Sequence, residues 1–420
     1  MINHRMGQEV LGIWDFGWSL VTSLTLVPGG IASGVNRYVA RYRLDNEIDQ
    51  MNRMVSSVSY MMRVMALIIM VLSLMFAWII STVWRNRVGV HVEDAQWVVI
   101  FLGFSFAVNV SFQVVTGIIT GYHRWDLHNA ISAGGTIITT VIMVVLMYGG
   151  CHQLKYLALT YLCCGFCERL VRVYVAKKLF PGLRIRFRYA SWKVVKTMLK
   201  FGSKTLTSTI ANLLLNHGTR IVLLSALGPA SVAIYARMQA LLRAVFVTVA
   251  KYSVTFRPMA SSLQKAGDTE QLKELLIKAA RYGAYIAVPA VVMIAIMGNF
   301  ILRVWMGKQY ATGNVFIVLA IGYLTYFVQQ PLVSVMSGMD KHGRPGIATL
   351  IAAATSLGII SLVMVKIHLV GLFGFSALLV IPLTLATGIY TPVRVCRHLG
   401  IPIGRFFKQV WLGPLLCSLP

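Results

Sequence analysis

The chain has 420 residues, 57% of them hydrophobic and 12% charged, and a net charge of +26, with a mean hydropathy of +0.72. Soluble domains carry about 25% charged residues, so a soluble globule is excluded. Nucleic-acid binding is excluded too, because the Lys and Arg excess is scattered between apolar runs and no basic domain or recognition motif carries it.

About 20 apolar residues span a bilayer core, and such runs recur along the whole sequence. We read eleven spans, at about 10–34, 58–84, 95–120, 126–149, 154–178, 201–226, 230–256, 276–304, 314–338, 345–366 and 370–392, with a twelfth starting near 403. MINHRMGQEV lacks an apolar core and a small-residue cleavage site, so no cleavable signal is expected.

Several spans carry polar residues at helical spacing, which keeps them on one face. In the first, Asp15, Ser19 and Thr22 step by 4 and 3. Arg63 stands near the start of the second. In the third, Ser105, Asn109, Gln113, Thr116 and Thr120 form a stripe. The fifth holds Glu168 four residues before Arg172, the spacing of a local ion pair. It also holds CCGFC (Cys163, Cys164, Cys167) without a histidine at metal-ligand spacing, which reads as small packing residues. The sixth carries Lys204, Thr205, Thr209, Asn212, Asn216, His217 and Arg220, and the seventh Arg237, Gln239 and Arg243. Polar groups inside a bilayer face a bundle interior or water. Taken singly, each Ser, Thr, Asn or Gln is explained by helix–helix hydrogen bonding. The cations are harder to explain so: an arginine at a helix centre costs about 2.5–3.5 kcal/mol. Arg63 and Lys204 are close enough to a surface to snorkel. Arg243, 14 residues into its span, lies about 20 Å deep at 1.5 Å per residue.

The segments between spans alternate in charge. One side collects 27 Lys and Arg, the other 7. The positive-inside rule places the basic side in the cytoplasm, and its charge suits anionic lipid headgroups.

The sequence also repeats. At a shift of 221, HRMGQEVLGIW (4–14) falls on SALGPASVAIY (225–235), DNEIDQMNRM (45–54) on AGDTEQLKEL (266–275), and Trp84 on Trp305. At a shift of 217, Gln113 meets Gln330 and Gly121 meets Gly338. Each unit enters the membrane with the same polarity, so the repeat is parallel. The expected organisation is an N-terminal helical lobe at 1–178, a basic linker at 179–200, a C-terminal lobe at 201–392 and the start of a further helix at 393–420. The repeat also implies a helix upstream of Met1 and a last helix cut short at Pro420.

The fold class expected is therefore all-α and polytopic, two parallel-repeat bundles, with a net cationic interior. That interior suits an anionic phosphate or pyrophosphate headgroup. The candidate cavity residues are Arg243, Arg237, Arg220, Lys204, Arg63, Asn212, Asn216 and Gln239. Asp15 either couples an ion or pairs with a cavity arginine, and His217 either titrates or packs. No catalytic residue, cofactor or metal site is expected: paired carboxylates, glycine-rich phosphate loops and ATPase motifs are not found.

LGIWDFGWSLVTSL, GGIASGVNRYVARYRLDNEIDQMNRMVSS, FGSKTLTSTIANLLLNHGTRIVLLSALGPASVAIYA and VMSGMDKHGRPGIATL together resemble polysaccharide-biosynthesis flippases of the multidrug/oligosaccharidyl-lipid/polysaccharide exporter superfamily, and within it the O-antigen-type translocases. The resemblance covers nearly the whole chain. It implies a MATE-like fold of two lobes around a central cavity, and alternating access. The cargo it implies is an undecaprenyl-pyrophosphate-linked oligosaccharide, moved across the bacterial cytoplasmic membrane for O-antigen and other surface polysaccharide. The partners it implies are that cargo, membrane lipids, and polysaccharide polymerase or assembly proteins. Two alternatives stand beside it: a small-molecule or drug exporter of the same fold, and a membrane glycosyltransferase or ligase. The exporter would favour acidic cavity residues, and only Asp15 fits. The enzyme would want paired carboxylates or a large extramembrane loop.

Overall fold

The computed structural model describes residues 6–25, 35, 38–39, 42–43, 47–151, 153–196, 199, 210–339, 341, 343–367 and 371–418. Among them the regular structure is helical and no strand occurs. Eight helices are long and apolar enough to cross a membrane. They expose large apolar side chains throughout, such as Trp78 (66%), Ile137 (62%) and Ile296 (66%). Apolar surface on that scale is covered by lipid in a helical membrane protein. This is a multi-pass membrane protein.

The chain divides into two compact units, Met1–Val232 and Ala233–Pro420. The first holds α1 (Gln8–Leu24), α2 (Ile48–Thr82), α3 (Val92–Ser111), α4 (Gln113–Gly121), α5 (Trp125–Tyr148) and α6 (Leu154–Leu179); α5 packs on α6, and α3 is central. It meets α1, α2 and α6. Gly103 of α3 allows the closest of these approaches, since a Cβ there would overlap the Ser73 side chain of α2. The unit ends with a π-helical turn, Leu214–Gly218, and the start of α7 (Thr219–Val254).

The expected sixth and seventh spans meet inside α7. Gly228 (φ 81, ψ 178) leaves helical geometry there, just before Pro229. Beyond the break, the second unit holds the rest of α7, then α8 (Phe256–Ala266), α9 (Thr269–Met306), α10 (Asn314–Val328), α11 (Gln330–Gly338), α12 (Gly343–Ile367), α13 (Leu372–Thr384) and α14 (Thr391–Leu399). Here α10 packs on α9 and α13, and α12 on α13.

The repeat is visible in the backbone. Gly7 (φ 92, ψ 169) and Gly228 break the chain in the same way at the shift of 221. At that shift α2 and α9 begin together, at Ile48 and Thr269. At the shift of 217 the α3–α4 break at Phe112 falls on the α10–α11 break at Gln329, and α4 and α11 share both bounds.

Several expectations need adjusting. Helix α2 starts ten residues before the expected span, because 182–191 packs along its basic end. Asn52 Nδ2 donates to the Gly182 carbonyl (2.9 Å), its Oδ1 accepts from Arg184 N (2.8 Å), and Ser57 Oγ accepts from Ser191 N (2.8 Å). Much of the segment expected as a linker is thus held against the first unit. α1 has only 17 residues, and α6 carries Glu168, Arg169 and Arg172, so neither meets the measure that the eight meet. The polar stripe from Ser105 to Thr120 is cut by the bend at Phe112. Cys163 and Cys167 are exposed, not packed inside.

Candidate functional site

The first unit gathers part of the expected polar set. On α1, Asp15 (8% exposed) and Ser19 (0%) are buried one turn apart, and Ser19 Oγ donates to the Asp15 carbonyl at 2.8 Å. Arg220, one residue past the start of α7, donates from Nη1 to Ser19 Oγ at 3.1 Å. The π-helical turn just before it carries Asn216 and His217 and packs on α1. A π turn is a geometry often found at functional sites, and from within this one the Asn216 amide donates to the Asn212 carbonyl (2.7 Å). Asn212, Asn216, His217 and Arg220 are all half-buried. Asp15 on α1 and Asn212, Asn216, His217 and Arg220 on the stretch 212–220, which meets α1 through the π-helical turn and the Arg220–Ser19 bond, are thus brought into one neighbourhood.

In the second unit the expected residues part company. Gln239 is buried at 5% exposure and hydrogen-bonds Tyr323. Arg243, one turn later, is exposed, and Arg237 is half-buried. Residues four apart differ by about 40° around a helix, and the border of the buried face runs between Gln239 and Arg243. Among the exposed neighbours of Arg243, Val247 is 38% exposed. A guanidinium on such a face at mid-span is costly against lipid and is stabilised by water or an anion. Arg63 is exposed on α2 with its guanidinium 5.0 Å from the Tyr60 ring. It stands where the apolar run begins, the place of an interfacial anchor. Lys204, with Thr205 and Thr209, lies outside the described residues.

Sequence reasoning missed a second polar cluster, on α5 and α6. Arg172 is 2% exposed and uses four of its five N–H donors. Nε and Nη2 donate to Glu168 Oε1 (3.0 and 2.7 Å), Nη2 also to Ser132 Oγ (2.6 Å), and Nη1 meets His128 Nδ1 at 2.8 Å. Arginine has no acceptor, so His128 accepts at Nδ1 and is neutral with its proton on Nε2. Arg169 Nη1 lies 3.6 Å from the same Glu168 oxygen, with both side chains about 15% exposed. The i, i+4 pair of Glu168 and Arg172 was legible. The burial was not, because the partners His128 and Ser132 stand on another helix.

Arg169 and Glu168 line a cavity of about 250 Å³ within the first unit. Trp14 and Trp18 of α1, Asn109 of α3, Thr139 of α5 and Tyr161 of α6 also line it. Trp18 is fixed edge-on between Phe106 (5.3 Å) and Tyr161 (5.1 Å).

Bilayer-length helices and a parallel backbone repeat define the class: a multi-pass helical membrane protein, and its fold is that of the MATE transporters. A solved inward-facing conformation of a multidrug resistance MATE family transporter of the MOP superfamily has a TM-score of 0.76, over 95% of this chain and 96% of that one, at 15% identity. The lipid II flippase MurJ, in an inward closed conformation, has a TM-score of 0.69 over 98% and 89%, at 14% identity. These likenesses concern the fold alone. An uncharacterized membrane protein of Methanocaldococcus jannaschii is 21% identical over 330 residues, 76% of this chain, and the match spans 64% of that relative's length. The family model for polysaccharide biosynthesis protein matches residues 15–313. The chain belongs to that polysaccharide biosynthesis family.

Proposed function

We propose that the chain is a flippase for a lipid-linked saccharide with an anionic headgroup, an undecaprenyl-pyrophosphate-linked oligosaccharide, in the bacterial cytoplasmic membrane. The product serves O-antigen or a related surface polysaccharide, and the partners are membrane lipids and the polymerase or assembly proteins that take up the flipped saccharide. The observation that carries this reading is Arg220, inside a bilayer-length apolar helix and held on the buried Ser19, in a chain of the polysaccharide biosynthesis family. Pyrophosphate is matched by guanidinium forks. In the first unit Arg220 supplies one, with Lys204 and Arg63 nearer the basic side and Asn212 and Asn216 as neutral donors; in the second unit Arg237 and Arg243 are the candidates, with Gln239 as a neutral donor. Asp15 offsets part of the charge when the site is empty, and His217 adds a donor. The site opens in turn to each side of the membrane, while the lipid tail stays in hydrocarbon. No bond in the cargo is made or broken.

The drug-exporter alternative is less well supported. A cationic drug needs an unpaired acid open to the cargo: Asp15 is only 8% exposed, and Glu168, which does line a cavity, is already shared between Arg169 and Arg172. The test is a flipping assay in proteoliposomes with a fluorescent polyprenyl-pyrophosphate saccharide. Arg243→Ala should slow flipping at least tenfold and Arg243→Lys much less. Transport of a lipophilic cation with no flipping of the lipid would favour the exporter.

A further inference from the structure

The cavity beside Arg169 owes its space to side-chain choice. At the shift of 217, Phe106 and Asn109 of α3 correspond to Tyr323 and Tyr326 of α10. At the shift of 221, Trp14 and Trp18 of α1 correspond to Tyr235 and Gln239 of α7. In the second unit these positions are closed. Tyr235 (0% exposed), Tyr323 (5%) and Tyr326 (6%) fill the interior. The Tyr235 and Tyr323 hydroxyls lie 3.5 Å apart, Phe375 packs edge-on to Tyr235 at 5.8 Å, and Phe246 stacks on Tyr326 at 5.5 Å. In the first unit the Tyr326 position is an asparagine, and the space it leaves is lined by aromatic faces and by polar groups.

Packing alone does not account for that lining. A void in hydrocarbon is cheapest when apolar, yet Glu168, Arg169 and Asn109 face this one. Its carboxylate is shared between two arginines, Arg169 at 3.6 Å and Arg172 at 2.7 Å. The cluster is therefore net positive. Arg172 is spent on Glu168, His128 and Ser132, whereas Arg169 borders the open space. At about 250 Å³ the cavity lies below the roughly 300–1,000 Å³ of sites for drug-sized ligands. It has room for one ring.

We infer that this cavity is a binding site for a single saccharide ring, with the C–H face of the sugar against Trp18 and Tyr161 and its hydroxyls on Asn109, Glu168 and Arg169. Aromatic walls bind the apolar face of a pyranose. The amide, carboxylate and guanidinium supply both donors and acceptors, as hydroxyls require. A purely hydrophobic ring would offer nothing to the polar atoms that face the cavity, and such sites discriminate strongly against analogues lacking the hydroxyl. The surplus positive charge favours a ring that carries a carboxylate over a neutral one. That the ring is part of the flipped cargo rests on the function proposed above. That the cavity binds a sugar does not.

The experiment is saturation-transfer NMR on the full chain in lipid nanodiscs, with glucose, galactose, N-acetylglucosamine, glucuronate and cyclohexanol as probes. Ring-proton signals are expected from at least one sugar, strongest for glucuronate, and none from cyclohexanol. Asn109→Tyr, which restores the residue of the second unit, should abolish them. Arg169→Gln should weaken glucuronate binding about tenfold, the worth of one charge-assisted hydrogen bond. Thr139→Leu narrows the same cavity from α5 and serves if Asn109→Tyr does not fold. Absence of any sugar signal, equal signals from cyclohexanol, or signals undiminished in the folded cavity-filling variant would overturn the proposal. Because the probes are free sugars, sugar binding without flipping would sink the flippase reading and leave this one standing.

Discussion

The two units share a backbone plan and use it oppositely. The chain breaks at a positive-φ glycine once per repeat, at Gly7 and at Gly228 just ahead of the second unit, and each unit bends one helix at matching positions, Phe112 and Gln329. Yet the interior of the second is closed by Tyr235, Tyr323, Tyr326 and Phe375, while the first keeps a cavity bordered by Asn109, Glu168 and Arg169. On one backbone plan, exchanges at a few matched positions, Asn109 for Tyr326 among them, go with an open space in one unit and a packed interior in the other. The polar interior is the costly one, since buried charge is tolerated only when paired and hydrogen-bonded.

The largest effect expected from breaking this contrast is in the first unit. Arg172→Met leaves Glu168 without its main partner and should cost about 3–5 kcal/mol, seen as a large fall in melting temperature in nanodiscs. Arg172→Met combined with Glu168→Gln should recover most of it, which the single variant cannot. Next comes the second unit, where Phe375→Ala opens a cavity under Tyr235 and should cost about 3 kcal/mol, read in the same melting assay. Asn109→Tyr makes the first unit resemble the second. It should leave stability unchanged or raise it by about 1 kcal/mol while reducing flipping, which separates a site from a packing defect. The smallest effect concerns the strap on α2: Ser57→Ala removes the acceptor for Ser191 N and should cost about 1 kcal/mol. Limited proteolysis should then cut the 182–191 segment faster, with little change in overall melting.

Much of the fold was legible because bilayer length and the repeat are properties of sequence. The spans from 95–120 onward keep their order, and the charged stretch 45–54 already pointed to 266–275, where α9 begins. Bends and burial were less legible. Nothing in FSFAVNVSFQVV marks Phe112 as a break, because tertiary packing sets it. Periodicity put Gln239 and Arg243 on one stripe, but it does not say where the buried border runs between them. The Glu168–Arg172 pair was visible as spacing, while its ties to His128 and Ser132 come from 40 to 44 residues away. Asp15 and Arg220, 205 residues apart in sequence, were singled out separately, and Ser19 is the residue that joins their surroundings.

The most direct test is complementation in a bacterium lacking its own O-antigen translocase, with surface polysaccharide measured at matched protein level. The unaltered protein should restore polysaccharide, and the pair Arg220→Ala and Arg243→Ala should drop it to background, with Arg→Lys at both sites retaining part. Full restoration by the double alanine variant would contradict the claim that cations at membrane depth grip an anionic lipid-linked cargo.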